Sequence, residues 1–169
     1  MRLFCYPIVM TPKKILFVCL GNICRSPMAE FVFRHLAEQQ GVADRFVVDS
    51  AATSDEEHGN PLYPPARKKL QQEGIACEGH HARQITLADY DRYDYIVGMN
   101  ESNMRDLHRM LGGDPQHKLS MLLDHTPDSD AAHHGRGVAD PWYTRDFDTA
   151  YEDIYVGCEA LLSKLSIED

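Results

Sequence analysis

The sequence predicts an α/β fold, a parallel sheet with helices packed against it, and three observations carry that prediction. Segments with strand-like patterning alternate along the chain with segments of helical spacing. The first strand segment, Lys13 to Cys19, carries a continuous apolar run, the mark of a strand buried on both faces. The helical segments stop at glycine, at Gly41, Gly74 and the pair Gly112-Gly113. With 169 residues, 43% of them hydrophobic and 25% charged, the chain fits one domain with a proper core, and it shows no repeat or low-complexity tract.

Taken in order, residues 1–12 are expected to be a poorly ordered extension, because strand patterning begins only after Thr11-Pro12. Their short apolar patch is too small for a signal peptide, and Met10 is a second candidate start. Residues 13–169 then form a single domain. After the first strand, Ser26-Pro27 reads as a helix start with proline in the first turn, and Met28, Phe31, Val32 and Leu36 recur at helical spacing. Phe46 to Asp49 is the second strand, and Pro65 to Glu73 a polar-faced helix. Tyr95 to Met99 is the third strand, Asn100 to Leu111 a helix, and Lys118 to Leu122 the fourth strand. Residues 124–141 are turn-rich and read as a long loop, often a functional feature in a compact domain. Tyr151, Ile154, Cys158, Leu161, Leu162 and Leu165 mark an amphipathic terminal helix.

Composition removes several functions. A formal charge of −9 argues against non-specific nucleic-acid binding and docking to anionic membranes. A local anion pocket is still compatible with it. No apolar run approaches the roughly 20 residues of a membrane span. Cysteines at 5, 19, 24, 77 and 158 are odd in number and irregular in spacing, unlike a secreted disulfide framework. The chain is therefore expected to be cytoplasmic with reduced thiols.

The segment VCLGNICRSPMAE carries the chemistry. Cys19 stands at a strand end, where ligands bind in parallel sheets, and Arg25 follows at C-x5-R spacing across a turn. Leu20, Gly21, Asn22, Ile23 and Cys24 form that turn. A loop entering a helix N-terminus points successive N–H groups inward and adds the positive end of the helix dipole, which suits a phosphate-sized oxyanion. The same field lowers a thiol pKa from about 8.5 toward roughly 3.5 to 7.5. Arg25 is suited to grip two phosphate oxygens with its planar fork. Gly21 allows a tight bend, Asn22 tolerates a left-handed backbone, and Ser26 can donate to a thiolate and cap the helix. Plainer readings exist: Cys19 as a small buried hydrophobe, or Cys19 with Cys24 as half a zinc site, though no matching Cys or His pair stands at finger spacing. The paired histidines 80–81 and 133–134 lie in polar segments and read as solvated, and a nucleotide-type G-x-x-x-x-G-K-[ST] loop is absent.

VCLGNICRSPMAE resembles the signature of the low-molecular-weight protein tyrosine phosphatases. ADPWY, residues 139–143, resembles that family's general-acid loop, and VDSAATS (48–54), HHARQIT (80–86) and MNESNMRDL (99–107) fall in family order. The resemblance covers about residues 13–169 and implies a three-layer α/β/α fold, a four-stranded parallel sheet with the phosphate-binding loop between the first strand and first helix. It implies that Cys19 attacks phosphorus to give a phosphocysteine, that Arg25 and the loop amides hold the phosphate, and that Asp140 is the general acid and then the base. Trp142 and Tyr143 would wall the substrate ring, with core packing the plainer alternative for one of them. Asn22, Ser26, Ser50 and His80 match positions that brace the loop. Cys24 matches a cysteine that can form a reversible disulfide with the nucleophile, its alternative being packing. Glu56 and Glu57 stand where many members have a rim aromatic, which suits basic residues flanking the phosphotyrosine. The implied partner is a phosphotyrosine protein, with phosphate or vanadate as inhibitors, no metal or cofactor, and a monomer as default. Alternatives are a protein arginine phosphatase on this scaffold, disfavoured by Ile23 where that group has threonine, and a phosphocysteine carrier that does not hydrolyse. Arsenate reductases of similar fold need a cysteine relay that Cys77 and Cys158 do not supply.

Overall fold

The apolar run of the first strand finds partners on both sides. In the computed structural model, which describes residues 10–168, β1 (Lys13–Cys19) pairs in parallel with β2 (Phe46–Ala52) and with β3 (Tyr95–Gly98). β3 in turn pairs with β4 (Leu119–Met121), so the described residues form a four-stranded parallel sheet in the order β2-β1-β3-β4. The expected extension lies outside the described residues over positions 1–9.

The alternation along β1 explains its composition. Ile15, Phe17 and Cys19 enter a core shared with α1 (Arg25–Gln39), α2 (Pro64–Gln72) and α6 (Phe147–Ile167). Leu16 and Val18 enter a second core on the opposite face, with Tyr90 of α3 (Leu87–Arg92) and Leu107 of α4 (Glu101–Leu111). Both faces are dry, so no position between 15 and 19 can be polar, and the result is three layers, α/β/α. The strand order reverses between β1 and β3, which makes the carboxyl end of β1 the switch point where such sheets bind ligands.

Most elements lie within a residue or two of their sequence signals. β2 runs three residues past the expected Asp49, through Ser50, Ala51 and Ala52. Small side chains carry little strand signal, and here tertiary pairing supplies it: Ala52 N–H donates to the Arg83 carbonyl at 2.7 Å while its own carbonyl accepts from Ile85. α3 was not foreseen; its six residues are too few to show a period, and a Thr86–Asp89 capping box closes its start. α4 has Asn100 as its N-cap, accepting from the Asn103 amide, and Gly112 at φ 72° ends it. The expected 124–141 loop is irregular apart from its ends: a 3₁₀ turn, Leu122–His125, overlaps its first two residues, and α5 (Pro141–Thr144) begins at its last.

α6 places Ile154, Cys158, Leu161, Leu162 and Leu165 against the core as its spacing predicts. Gly157 lies among them, where glycine costs the helix about 1 kcal/mol relative to alanine. A Cβ there would stand 2.5 Å from Leu122 Cγ and 3.1 Å from both its Cδ atoms. Because Leu122 is fully buried, Gly157→Ala is expected to destabilise the protein by about 1–3 kcal/mol despite its better propensity. The midpoint of urea unfolding reads this, and an unchanged or higher midpoint would show that Leu122 moves aside freely.

Candidate active site

Between β1 and α1 the chain turns in five residues, and one of them accepts an unfavourable backbone. Asn22 sits at φ 59°, the left-handed region, while Gly21 does not use it. The freedom expected of Gly21 is thus exercised at Asn22, which among non-glycine residues tolerates this geometry best. The bend brings amides back onto the Cys19 sulfur: Asn22 N–H lies 3.3 Å and Ser26 N–H 3.4 Å from Sγ. Ser26 Oγ is nearer still, at 3.0 Å.

Ser26 does not cap α1, contrary to the sequence expectation. The N-cap is Cys24, without a side-chain cap bond, and Ser26 is the second helical residue. At a helix start the first N–H groups have no intrahelical acceptor. The Ser26 amide turns to sulfur instead, and Pro27 has no N–H to satisfy.

Asn22 organises the layer beneath. Its Nδ2 donates to Ser26 Oγ and to Ser50 Oγ, both at 2.9 Å, and its Oδ1 accepts from Arg83 N–H at 3.1 Å. Ser26, having accepted from Asn22, can point its own hydrogen at Cys19. Ser50, likewise supplied, donates to Glu30 Oε1 at 2.8 Å. Donors therefore run outward from one amide to two acceptors, a thiol sulfur and a carboxylate. Glu30 is buried, and that burial raises its carboxyl pKa against the opposing influence of Arg34, paired with it at 2.7 Å. His80 Nε2 donates to the Asn22 carbonyl at 2.7 Å and fixes the left-handed turn from the other side. Burial holds this imidazole below its ordinary range, against the raising influence of that carbonyl.

Arg25 is 2% exposed although it carries a full charge. Its Nη1 donates to the Val138 carbonyl at 3.1 Å and its Nη2 reaches Asp140 Oδ2 at 3.2 Å. Asp140 begins α5 as its N-cap, Oδ1 accepting from Trp142 N–H at 3.0 Å, with Pro141 supplying the first helical residue. Cys19, Arg25 and Asp140 thus face one cavity, whose walls include Leu20, Gly21, Asn22, Ile23, Cys24, Ser54, Glu56, Glu57, Trp142 and Tyr143. Trp142 and Tyr143 are 40% and 74% exposed, so neither is a core residue. Trp142 is instead held on the Tyr63 ring, centroids 4.9 Å apart, with the Arg145 guanidinium over the Trp142 ring, 5.5 Å from its centroid. Cys24 is buried, and desolvation first and the neighbouring Cys19 second push its thiol pKa upward.

The structure brings every candidate residue to this place: Leu20, Gly21, Asn22, Ile23, Cys24, Glu56, Glu57, Trp142 and Tyr143 line the cavity beside Cys19, Arg25 and Asp140, and Ser26, Ser50 and His80 brace its loop from behind; Ser54 joins the wall without having been a candidate. Sequence reasoning missed Glu30, Arg34, Arg83, Tyr63 and Val138. Glu30 and Arg34 had a faint signal as an i,i+4 ion pair, while Val138 acts through its carbonyl and has none. The histidines correct an expectation. His81 is exposed, but His80 is held by Asn22, His133 by Asp130, and His134 by the Thr126 carbonyl at 2.7 Å.

Known proteins resemble this chain in sequence and in fold. The family model described as low molecular weight phosphotyrosine protein phosphatase matches residues 14–169. The chain is 42% identical over 154 residues to the low molecular weight protein-tyrosine-phosphatase YfkJ of Bacillus subtilis, covering 91% of this chain and 96% of that one. The crystal structure of YfkJ superposes with a TM-score of 0.89 at 39% identity, covering 95% and 99% of the two chains. That of a Drosophila arginine phosphatase gives 0.79 at 29% identity, covering 92% and 99%.

Proposed function

The chain belongs to the low molecular weight phosphotyrosine protein phosphatase family, and on that footing we propose that it hydrolyses phosphotyrosine in proteins, and small aryl phosphates, through a phosphocysteine on Cys19. The observation that supports this reading best is the convergence of three donors on the Cys19 sulfur beneath the one cavity that Arg25 and Asp140 also face.

The three donors hold the Cys19 sulfur in place at the floor of the cavity, where it can meet phosphorus. Cys19 attacks phosphorus in line; an S–P bond forms as the P–O bond to the phenol breaks. Arg25 and the loop amides hold the equatorial oxygens as charge shifts toward the leaving atom. Asp140 delivers a proton to the departing phenolate, then takes one from the water that cleaves the S–P bond. Ser26, supplied by Asn22, donates to the thiolate as it departs. A phosphate dianion held by Arg25 shares that guanidinium with Asp140, which keeps the acid beside the bound phosphate. Phosphate and vanadate are inhibitors in this reading because they occupy the same cradle. Residues 13–169 act as one domain, a cytoplasmic monomer, and among the described residues no helix is long and apolar enough to cross a membrane.

The nearest competing reaction is arginine dephosphorylation, which a solved relative of similar fold is named for. Here the discriminating position, Ile23, lies at the cavity wall and is 8% exposed. Its bulk favours a flat phenyl phosphate and supplies no hydroxyl for a guanidinium phosphate. Rates on phosphotyrosine are expected to exceed those on phosphoarginine by at least about tenfold, and Ile23→Thr to narrow the ratio by a similar factor. Phosphoarginine winning in wild type would reverse the assignment. Multiple turnovers, rather than one equivalent of phenol released, separate the hydrolase from a phosphocysteine carrier.

A further inference from the structure

Asp140 sits at the end of a long segment that has little regular structure of its own, yet a general acid must be held within hydrogen-bond reach of the leaving oxygen. What holds it lies outside the cavity. Arg136 donates through both terminal nitrogens to Asp153 of α6, each at 2.8 Å. The Asp153 side chain is only 4% exposed, while that of Arg136 is 44% exposed. His133 approaches the same carboxylate with Nε2 at 3.6 Å and bonds Asp130 through Nδ1. One residue beyond Arg136 the loop touches α4: a Cβ on Gly137 would stand 2.7 Å from the Asn100 Cβ. Val138 then donates to the Met99 carbonyl at 2.8 Å and accepts from Arg25.

We propose that Arg136 and Asp153 are positioning residues for Asp140, a bidentate latch between α6 and the loop that fixes where the acid stands relative to Cys19. The proposal rests on Asp140 acting as the general acid. Any loop conformation that withdraws Arg136 leaves the Asp153 carboxylate buried without its main partner, so the latch disfavours all positions of the segment but one. Two residues after Arg136 the chain is already bonded to Arg25, which leaves little slack before Asp140.

The test is leaving-group dependence. Values of kcat/KM are measured on phenyl phosphate, a poor leaving group, and 4-nitrophenyl phosphate, a good one. The variants are Arg136→Met/Asp153→Leu, which removes the buried carboxylate together with its half-exposed partner so that no charge is left buried alone, and Arg136→Lys. Both are repeated with Asp140→Asn. The paired variant is expected to lose about tenfold on phenyl phosphate and less than about threefold on 4-nitrophenyl phosphate, part of what proton transfer supplies. Arg136→Lys is expected to recover most of that loss, inhibition by inorganic phosphate to stay within about twofold, and the paired change to cost nothing more once Asp140 is Asn. Equal losses on both substrates, no loss, or a loss persisting beside Asp140→Asn would reduce the latch to a fold contact. If Asp140→Asn alone shows no preference between the two substrates, the general-acid assignment is what fails.

Discussion

Cys19→Ser is expected to lower kcat on aryl phosphates by about 10⁴–10⁶-fold, to the level of background hydrolysis. The change replaces one atom, and every donor that now faces sulfur can face oxygen: the Asn22 and Ser26 amides and the Ser26 hydroxyl. The nucleophile is what changes. A serine hydroxyl ionises far above neutral pH, and no described residue stands beside position 19 as a base to take its proton. His80, the nearest candidate in kind, spends Nε2 on the Asn22 carbonyl. Binding should survive, because Arg25 and the loop amides are untouched; inorganic phosphate is expected to inhibit or protect with an affinity within about threefold of wild type. The variant would then trap phosphotyrosine proteins, and a wild-type melting temperature together with retained phosphate binding separates lost chemistry from lost fold. Turnover within about tenfold of wild type would sink the phosphocysteine mechanism altogether.

How much of this site the sequence reveals depends on whether the partners are neighbours in the chain. Cys19, Asn22, Arg25 and Ser26 sit within one strand-turn-helix, so local chemistry predicts their convergence before any tertiary contact is known. Asp140 is different. Asp-Pro is an ordinary turn pair, and only resemblance singled it out; its approach to Arg25 depends on how the loop crosses the end of β3. The latch is less legible again, since Arg136 and Asp153 are joined across irregular backbone that has no period. Ser50 meets Asn22 only because β2 pairs with β1 in a register that sets Ser50 opposite Phe17. The role misassigned to Ser26 has a local cause as well. Serine before a helix reads as a cap, yet here the cap is Cys24, two residues earlier, and the hydroxyl is taken by sulfur and Asn22. Composition failed for His80, His133 and His134 because polar neighbours suggest solvent, whereas backbone carbonyls and buried carboxylates bind them.

Arg25→Lys should be nearly as damaging as loss of the nucleophile's acid partner, with kcat/KM on phenyl phosphate falling by about 10³-fold. The charge is conserved, so a purely electrostatic role would predict a mild effect. The geometry predicts otherwise. Arg25 uses two nitrogens at once, Nη1 on the Val138 carbonyl and Nη2 toward Asp140, and a planar fork alone can hold that pair while turning its remaining edge to phosphate. An ammonium offers one centre on a flexible stem. In the buried surroundings of position 25, where Arg25 is 2% exposed, satisfying phosphate would leave the Val138 carbonyl unpaired, a cost of about 1–3 kcal/mol. Two losses should therefore separate. The phosphate inhibition constant should weaken, reporting the lost bidentate grip, and the penalty on phenyl phosphate should exceed that on 4-nitrophenyl phosphate, reporting the displaced acid. A lysine variant with weaker phosphate binding but no change in leaving-group preference would confine Arg25 to holding phosphate. One retaining more than about a tenth of wild-type activity would show that charge, rather than the fork, is what position 25 contributes.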